Sequence, residues 1–480
     1  MKMILPKNVS YIISKLEQAG FEAYAVGGCV RDTLLDRKPQ DWDITTSAKP
    51  LQIKELFKKT IDTGIQHGTV TVMLDHVGYE VTTYRIDGEY EDNRHPKKVE
   101  FTDSLKLDLE RRDFTINAMA YNDNRGLVDE FGGIKDLKDG IIRCVGDAGQ
   151  RFDEDALRML RAVRFAGQLG FAIEEKTREA IVERADHLKN ISAERIRVEL
   201  TKLLVSKEAG RIRDAYKTGM TKYFLPELDA AMQTEQKNPH HIYTVGEHSI
   251  CGIELMNCFF GITSDEKIYD KIPENVLETA KKLAAKMDKK QQTVLCMTML
   301  LHDIAKPAVM TVDEKGIGHF IGHPAQSEKM AKKIMRRLTF DNDSISKACR
   351  LIRFHDYRME DKSRAFRRAV SKIGADIMDM LFLVEYADVL AQSDMQRDEK
   401  LAKIDAGVKR FEYIMANAQP LSIKDLAVTG SDLIAAGVKP GPKMGEILKA
   451  MLDKVLDEPE LNTKDGLLNY LKCNSSAIKR

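Results

Sequence analysis

The chain carries almost no net charge, since 75 Lys and Arg stand against 74 Asp and Glu for a formal +1. A global basic field that would hold nucleic acid nonspecifically is therefore excluded, and any such contact has to come from local patches. No apolar run approaches the roughly 18 residues that a bilayer span requires, so no membrane partner is expected. The seven cysteines (Cys29, Cys144, Cys251, Cys258, Cys296, Cys349, Cys473) stand singly, odd in number and without a CxxC pair. That pattern fits reduced thiols in a cytoplasmic setting. The opening MKMILPKNVSYIISKLEQAG breaks its short apolar stretch at Pro6 and Lys7, which leaves no signal-peptide core and again points to the cytoplasm. Internal repeats, low-complexity tracts and charged arms are missing as well. What remains is ordinary: 43% hydrophobic and 31% charged residues over 480 positions, enough for roughly three to four globular domains.

The pattern changes once along the chain. Up to about residue 147, short β-rich runs (EAYAV, WDIT, TVTVML, YEVTTYR, KKVEF) alternate with helix-like stretches such as PLQIKELFKK, which predicts an α+β head built on a mixed sheet. From Asp153 the period becomes helical, with Leu157, Leu160 and Val163 on one face, and it stays helical to the end. Turn-rich seams fall at 145–150, 233–241 and 417–422.

Chemistry first shows in GGCVRD, residues 27–32, between EAYAV and a helix. Paired glycines at a strand-to-helix turn let the backbone approach a phosphate, and Arg31 adds positive potential. Ten residues on, Asp41-Trp42-Asp43 places two carboxylates on the same side of a strand, an arrangement that invites Mg²⁺. Such ions activate a 3′-hydroxyl and stabilise a leaving pyrophosphate in an in-line displacement.

GGCVRD and DWD, followed by RRDFTINAMAY at 111–121 and EDALRMLRAVRFAGQLGF at 154–171, resemble the class II tRNA nucleotidyltransferases, a family of CCA-adding enzymes and bacterial poly(A) polymerases. The resemblance covers about the first 210 residues with all four motifs in the family's order. It implies a polymerase-β-like nucleotidyltransferase head over residues 1–147, an all-α neck for base recognition over 148–212, a helical body over 213–420 and a tRNA-binding tail over 421–480. Carried over, Asp41 and Asp43 are the catalytic, magnesium-binding carboxylates, Gly28 and Arg31 contact the nucleotide, and Arg112 with Asp113 lies near triphosphate and ribose. Glu80 is either a third acid or a structural partner of Arg85. The polar segment 85–101 sits where full CCA-adding enzymes carry a flexible loop.

Base choice has a physical reading. Asp155 and Arg158, three apart on an expected helix, share a face. A carboxylate only accepts and a guanidinium only donates, while cytosine and adenine both present an amine beside an unprotonated ring nitrogen. Uracil and guanine oppose acceptor to acceptor and donor to donor. The resemblance implies that this pair selects CTP and ATP, with Arg161 and Arg164 as further nucleotide contacts.

A second constellation lies downstream. His302 and Asp303 end the apolar TVLCMTMLLHD, and His248, His323, His355 and Asp388 stand on neighbouring helical stretches, with Asp394 a rival to Asp388. His240 and His241, beside Pro239, are expected on the surface. The set resembles the HD superfamily of metal-dependent phosphohydrolases, which implies a divalent metal of unspecified identity acting on RNA ends such as 2′,3′-cyclic phosphates or 2′-phosphates. The expected activity is template-independent addition of C, C and A from CTP and ATP to tRNA 3′ ends. A poly(A) polymerase, a CC- or A-adding partial enzyme, and an HD phosphohydrolase with a vestigial head stay open as alternatives.

Overall fold

In a computed structural model, which describes residues 2–87, 90–91, 95–96, 99–263, 265–360 and 362–473, the chain divides into two compact units, Met1–Asp229 and Ala230–Arg480. The first is built on a seven-stranded sheet running Gly126–Asp129, Met119–Asn122, Ala23–Val26, Asp43–Thr46, Val77–Thr83, Thr69–Leu74 and Thr60–Gly64 from edge to edge. Neighbours are antiparallel except Asp43–Thr46 beside Val77–Thr83. Ala23–Val26 is buried along its whole length. The helix Lys7–Gln18, whose Val9, Ile12, Ile13 and Leu16 recur at helical spacing, packs against it. Four of the sheet's strands match runs that the sequence pattern picks out. The others, Thr60–Gly64, Met119–Asn122 and Gly126–Asp129, carry no clean alternation of period two.

Within the expected loop, Arg85–Asp87 pairs with Val99–Phe101 and Tyr90–Glu91 with His95–Pro96. The rest of that segment lies outside the described residues.

The expectation that Asp155 and Arg158 share one helix is corrected. A helix begins earlier, at Ala148, where the Asp147 carboxylate accepts the N–H of Gln150 at 2.7 Å. It stops at Asp155, whose backbone is extended (φ −144°, ψ 102°), and a second helix runs from Leu157 to Leu169. The break has a local cause. The Asp155 carboxylate accepts the N–H of Leu157 at 3.1 Å and so competes with continuation of the helix. Leu157, Leu160 and Val163 are buried as their spacing predicts, and Gly170 (φ 75°) ends the second helix.

The second unit is helical apart from a small ribbon, Thr311–Val312 with Gly318–His319. Its central helices, Val245–Phe259, Lys289–Leu301 and Met378–Leu390, pack together and bury residues on nearly every side, as helices apolar all round do. Farther on, Arg367 reaches the end of the helix Pro442–Asp457 and donates to the carbonyls of Leu456 (2.7 Å) and Asp457 (3.1 Å), which satisfies groups that a helix terminus leaves without partners. No described helix is long and apolar enough to cross a membrane.

Candidate active sites

Ala23–Val26 delivers the chain into Gly27, which adopts φ 83°. A Cβ there would lie 3.1 Å from Nη1 of Arg112, so glycine is needed both for the backbone angle and for the approach of this guanidinium. Arg112 Nε is buried without a hydrogen-bond partner, a donor available to a phosphate. Arg31, on the helix Gly28–Leu34, turns inward: its Nη1 donates to Asn117 Oδ1 at 2.7 Å, and it pairs with Asp32 at 2.8 Å.

Asp43 opens its strand opposite Val26, and Asp41 precedes it in coil, so the two acids flank the strand start. The parallel register that sets Ile44 beside Val81 brings Glu80 level with Asp43. Desolvation by the surrounding protein raises the Asp43 pKa, Arg112 opposes the shift, and the like charges of Glu80 and Asp41 add to it. Glu80 therefore acts electrostatically with the two aspartates. Although their oxygens are not drawn together as those of the second unit's groups are, all three are exposed around the strand start, a shelf that would take a magnesium ion completed by water and nucleotide phosphates. Beneath it, fully buried Asp108 accepts from Arg111 (2.8 Å) and Thr45 (2.9 Å). Burial would raise its pKa, but Arg111 and Arg112 hold it below the ordinary range.

The neck places the proposed base readers differently from a simple i, i+3 pair. Asp155, at the break, is held by Arg195, with Nη2 to Oδ2 at 2.7 Å and Nη1 to Oδ1 at 3.2 Å. Arg158 is buried and donates to Glu154 at 2.6 Å and to the Arg111 carbonyl at 2.9 Å. A carboxylate offers about four lone pairs; Arg195 and the Leu157 N–H take three, which leaves one on Oδ2 of Asp155 for an exocyclic amine.

Asp113, Arg161 and Arg164 also face inward. Asp113 accepts from Arg161 (2.6 Å), Asn117 (3.1 Å) and the Phe114 N–H (2.8 Å). Burial works against its charge, but Arg161 and Asn117 hold its pKa far below the usual carboxylate range. Arg164 pairs with buried Glu199, and its guanidinium lies 3.8 Å from the Phe165 ring, which Arg31 and Arg161 also flank at 5.0 and 5.4 Å. In this arrangement these groups tie the helix Leu157–Leu169 to the segment 113–117, to the helix Gly28–Leu34 and to the helix Ala193–Leu204. Glu154, Arg195, Asn117 and Phe165 escape sequence reasoning. Only Glu154 leaves a trace, its i, i+4 spacing from Arg158.

In the second unit the six expected ligands converge. Asp303 is fully buried, and its carboxylate is ringed by nitrogen groups. Its Oδ2 lies 3.3 Å from His302 Nε2 and 3.6 Å from His248 Nε2, and its Oδ1 lies 3.2 Å from His323 Nε2 and 3.6 Å from His355 Nε2. Asp388 Oδ1 faces His248 (2.8 Å) and His302 (3.4 Å). Each imidazole Nδ1 bonds a backbone carbonyl, those of Ala391, Met299, Phe320 and Ile352 in turn, which turns every Nε2 inward. Two groups result, His248–His302–Asp303–Asp388 and Asp303–His323–His355, sharing Asp303. Burial would lower the His302 pKa, yet Asp303 and Asp388 hold it up at about 10. Asp394 is exposed and pairs with Arg397 at 2.5 Å, which leaves Asp388 as the inward acid.

The expectation for His241 is corrected, because this residue is half-buried beside the centre. Its ring meets His248 edge to face, and its Nε2 lies 3.4 Å from Lys306 Nζ. The backbone of its segment is pinned through His240 O to the Ser393 N–H. Lys306, three residues after Asp303 and 2.6 Å from its Oδ2, is the other member that sequence reading missed.

Comparison with known proteins agrees with the first unit. Residues 23–143 match the poly A polymerase head domain and 170–232 the probable RNA and SrmB-binding site of polymerase A. The N-terminal unit thus carries a match to the poly A polymerase head domain over most of its sheet. Residues 311–471 match a tRNA nucleotidyltransferase domain 2. Over 212 residues, 44% of the chain, it is 54% identical to a CCA-adding enzyme of Lactobacillus delbrueckii subsp. bulgaricus, covering 54% of that protein. Over 194 residues, 40% of the chain, it is 56% identical to that of Lactiplantibacillus plantarum, covering 48%. The chain thus spans about half the length of these curated relatives. The Bacillus stearothermophilus CCA-adding enzyme, solved in complex with CTP, is similar over 99% of both chains at 27% identity and TM-score 0.66. A Thermotoga maritima CCA-adding enzyme complexed with tRNA shares the fold at 22% identity and TM-score 0.57, covering 98% of this chain and 96% of that one.

Proposed function

We propose that this chain is a CCA-adding tRNA nucleotidyltransferase that takes CTP and ATP and releases pyrophosphate. The observation that carries the reading is the shelf of Asp41, Asp43 and Glu80 beside the Gly27 turn and the free donor of Arg112. The donor set is all oxygen and negatively charged, which fits Mg²⁺. When bound, the ion supplies Lewis acidity to the attacking 3′-hydroxyl and to the leaving group. The chain's own residues do the rest. Gly27 and Gly28 admit the triphosphate and Arg112 donates to it. Asp155, oriented by Arg195, accepts the amine of cytosine or adenine, and Arg158 donates to the adjacent ring nitrogen. UTP and GTP would set a carbonyl against the Asp155 carboxylate and a ring N–H against the Arg158 guanidinium, acceptor to acceptor and donor to donor, which disfavours both. Pyrophosphate release that needs tRNA together with CTP or ATP and stops on chelation tests the proposal; equal release with UTP would refute the base-reading part.

A second activity is favoured by the buried carboxylate of Asp303 among four inward imidazole nitrogens and Lys306. We read this centre as a two-metal phosphohydrolase site. His248, His302 and Asp388 would hold one divalent ion, His323 and His355 the other, and Asp303 would bridge them, while Lys306 would meet the substrate phosphate. Metal analysis of the purified chain tests it, two ions per molecule being expected.

A further inference from the structure

Apart from both sites, the first unit holds an open cavity of about 290 Å³. Its lining comes from the end of the helix Glu175–Arg184, the turn Ala185–Asn190, and the helices Ile212–Lys217 and Thr221–Phe224 with the turn that joins them. None of the lining residues belongs to the shelf or to the groups around Asp155. Ligand cavities run from about 300 to 1,000 Å³, so this one has room for a single small molecule of about nucleotide size.

The lining combines bare apolar surface with uncompensated positive charge. Val182 and Tyr223 stay 55% and 42% exposed, which leaves an aliphatic side chain and an aromatic ring open to a ligand. Lys217 and Lys222 have no carboxylate within ion-pair distance among the described residues. The two acids of the lining do not answer them, because both are already engaged: Glu183 pairs with Arg184 at 2.8 Å and Asp186 with Lys189 at 3.1 Å. Between the lysines, Gly219 adopts φ 78°, and a Cβ built on it would lie 4.0 Å from Lys222 Nζ. The turn thus needs glycine for its backbone angle, and no side chain stands beneath that ammonium.

An aromatic ring stacks on any nucleobase, because every base has a π-face, and two ammonium groups hold a phosphate through charge-assisted hydrogen bonds. An apolar ligand would leave the lysines unanswered, and a bare anion would leave the ring uncovered. We propose that Tyr223, Lys217 and Lys222 form a binding site for a nucleoside phosphate, with the base on the Tyr223 ring and the phosphate between the two lysines, separate from the shelf where nucleotides react. A free nucleotide and one nucleotide of an RNA strand share this chemistry. The inference goes beyond both proposed activities and needs neither.

The test is photo-labelling of the purified full-length chain with 8-azidoadenosine 5′-monophosphate, followed by peptide mapping, which reads this cavity apart from the other sites. Label is expected within residues 217–223. It should fall about tenfold or more in Tyr223→Ala and in the double variant Lys217→Ala, Lys222→Ala, and stay at the parent's level in Tyr223→Phe, which keeps the ring. All three side chains are exposed, so each variant should melt like the parent. Adenosine, which lacks the phosphate, should compete about tenfold less well than adenosine 5′-monophosphate. A 5′-phosphorylated triadenylate that competes better than the mononucleotide would identify an RNA strand as the source, and one that competes equally or less well a free nucleotide; either supports the site. Label confined to other segments, label in 217–223 that excess adenosine 5′-monophosphate does not displace, or undiminished label in the double lysine variant would overturn it.

Discussion

Asp43 sits where its negative charge is disfavoured. Desolvation and the neighbouring Glu80 and Asp41 raise its pKa against the pull of Arg112, so the shelf gains most when a divalent cation arrives. Asp41→Ala and Asp43→Ala should each lower addition of C and of A together by roughly 10³ or more, because one metal position serves every step. Single-turnover assays with folded protein would check this, and near-normal turnover in either variant would remove these acids from the mechanism. Glu80→Gln should give a smaller loss. At Asp113 the outcome expected is a change in stability. Its folded pKa lies below the unfolded value of about 3.9. The contribution of its ties is therefore complete above that value and is lost as pH falls through the acid range towards the folded one. Asp113→Asn should cost roughly 3 kcal/mol, since it strips Arg161 of its closest partner. Denaturant midpoints at pH 7 and pH 3 should show parent and variant converging at the lower pH.

At the scale of single elements, the break between Ala148–Glu154 and Leu157–Leu169 is what turns Asp155 out of a helix and into the grip of Arg195. Asp155→Ala should raise incorporation of UTP or GTP relative to CTP and ATP, whereas Arg158→Ala should weaken every nucleotide. Arg195→Ala should loosen the same discrimination to a lesser degree, because the carboxylate remains but loses its orientation. Incorporation ratios for the four nucleotides measure all three, and unchanged ratios in Asp155→Ala would return it to a purely structural role. The helix after the break was legible from the spacing of Leu157, Leu160 and Val163, whereas the one before it begins inside the stretch 145–150 that reads as a turn. The break was not, because a single bond from the Leu157 N–H to a side chain leaves no periodic trace. The turn at Gly27 was legible because its glycines follow an apolar strand. Partners such as Asn117 for Arg31, or Arg195 for Asp155, depend on elements that meet only after folding. Lys306 could have been found from its spacing to Asp303. His241 could not, since a loop next to Pro239 reads as surface until Ser393 is seen to fasten it.

Taken as a whole, the molecule places its two candidate sites in separate compact units. His302→Ala with Asp303→Ala should remove hydrolysis of 2′,3′-cyclic phosphate and leave nucleotide addition within a few-fold, unless the metals also hold the helices together, in which case the melting temperature falls and both activities go with it. Measuring both reactions beside the thermal midpoint separates these outcomes, and loss of addition in a variant that melts like the parent would contradict the assignment of the two sites. The central claim is that the first unit builds CCA, and it is tested by incubating the purified chain with magnesium and a tRNA that ends before CCA, supplying CTP and ATP together, and sequencing the 3′ ends. The account predicts growth by C, C and A in that order and then arrest; long runs of A, arrest after two C residues, or no extension by a folded chain would contradict it.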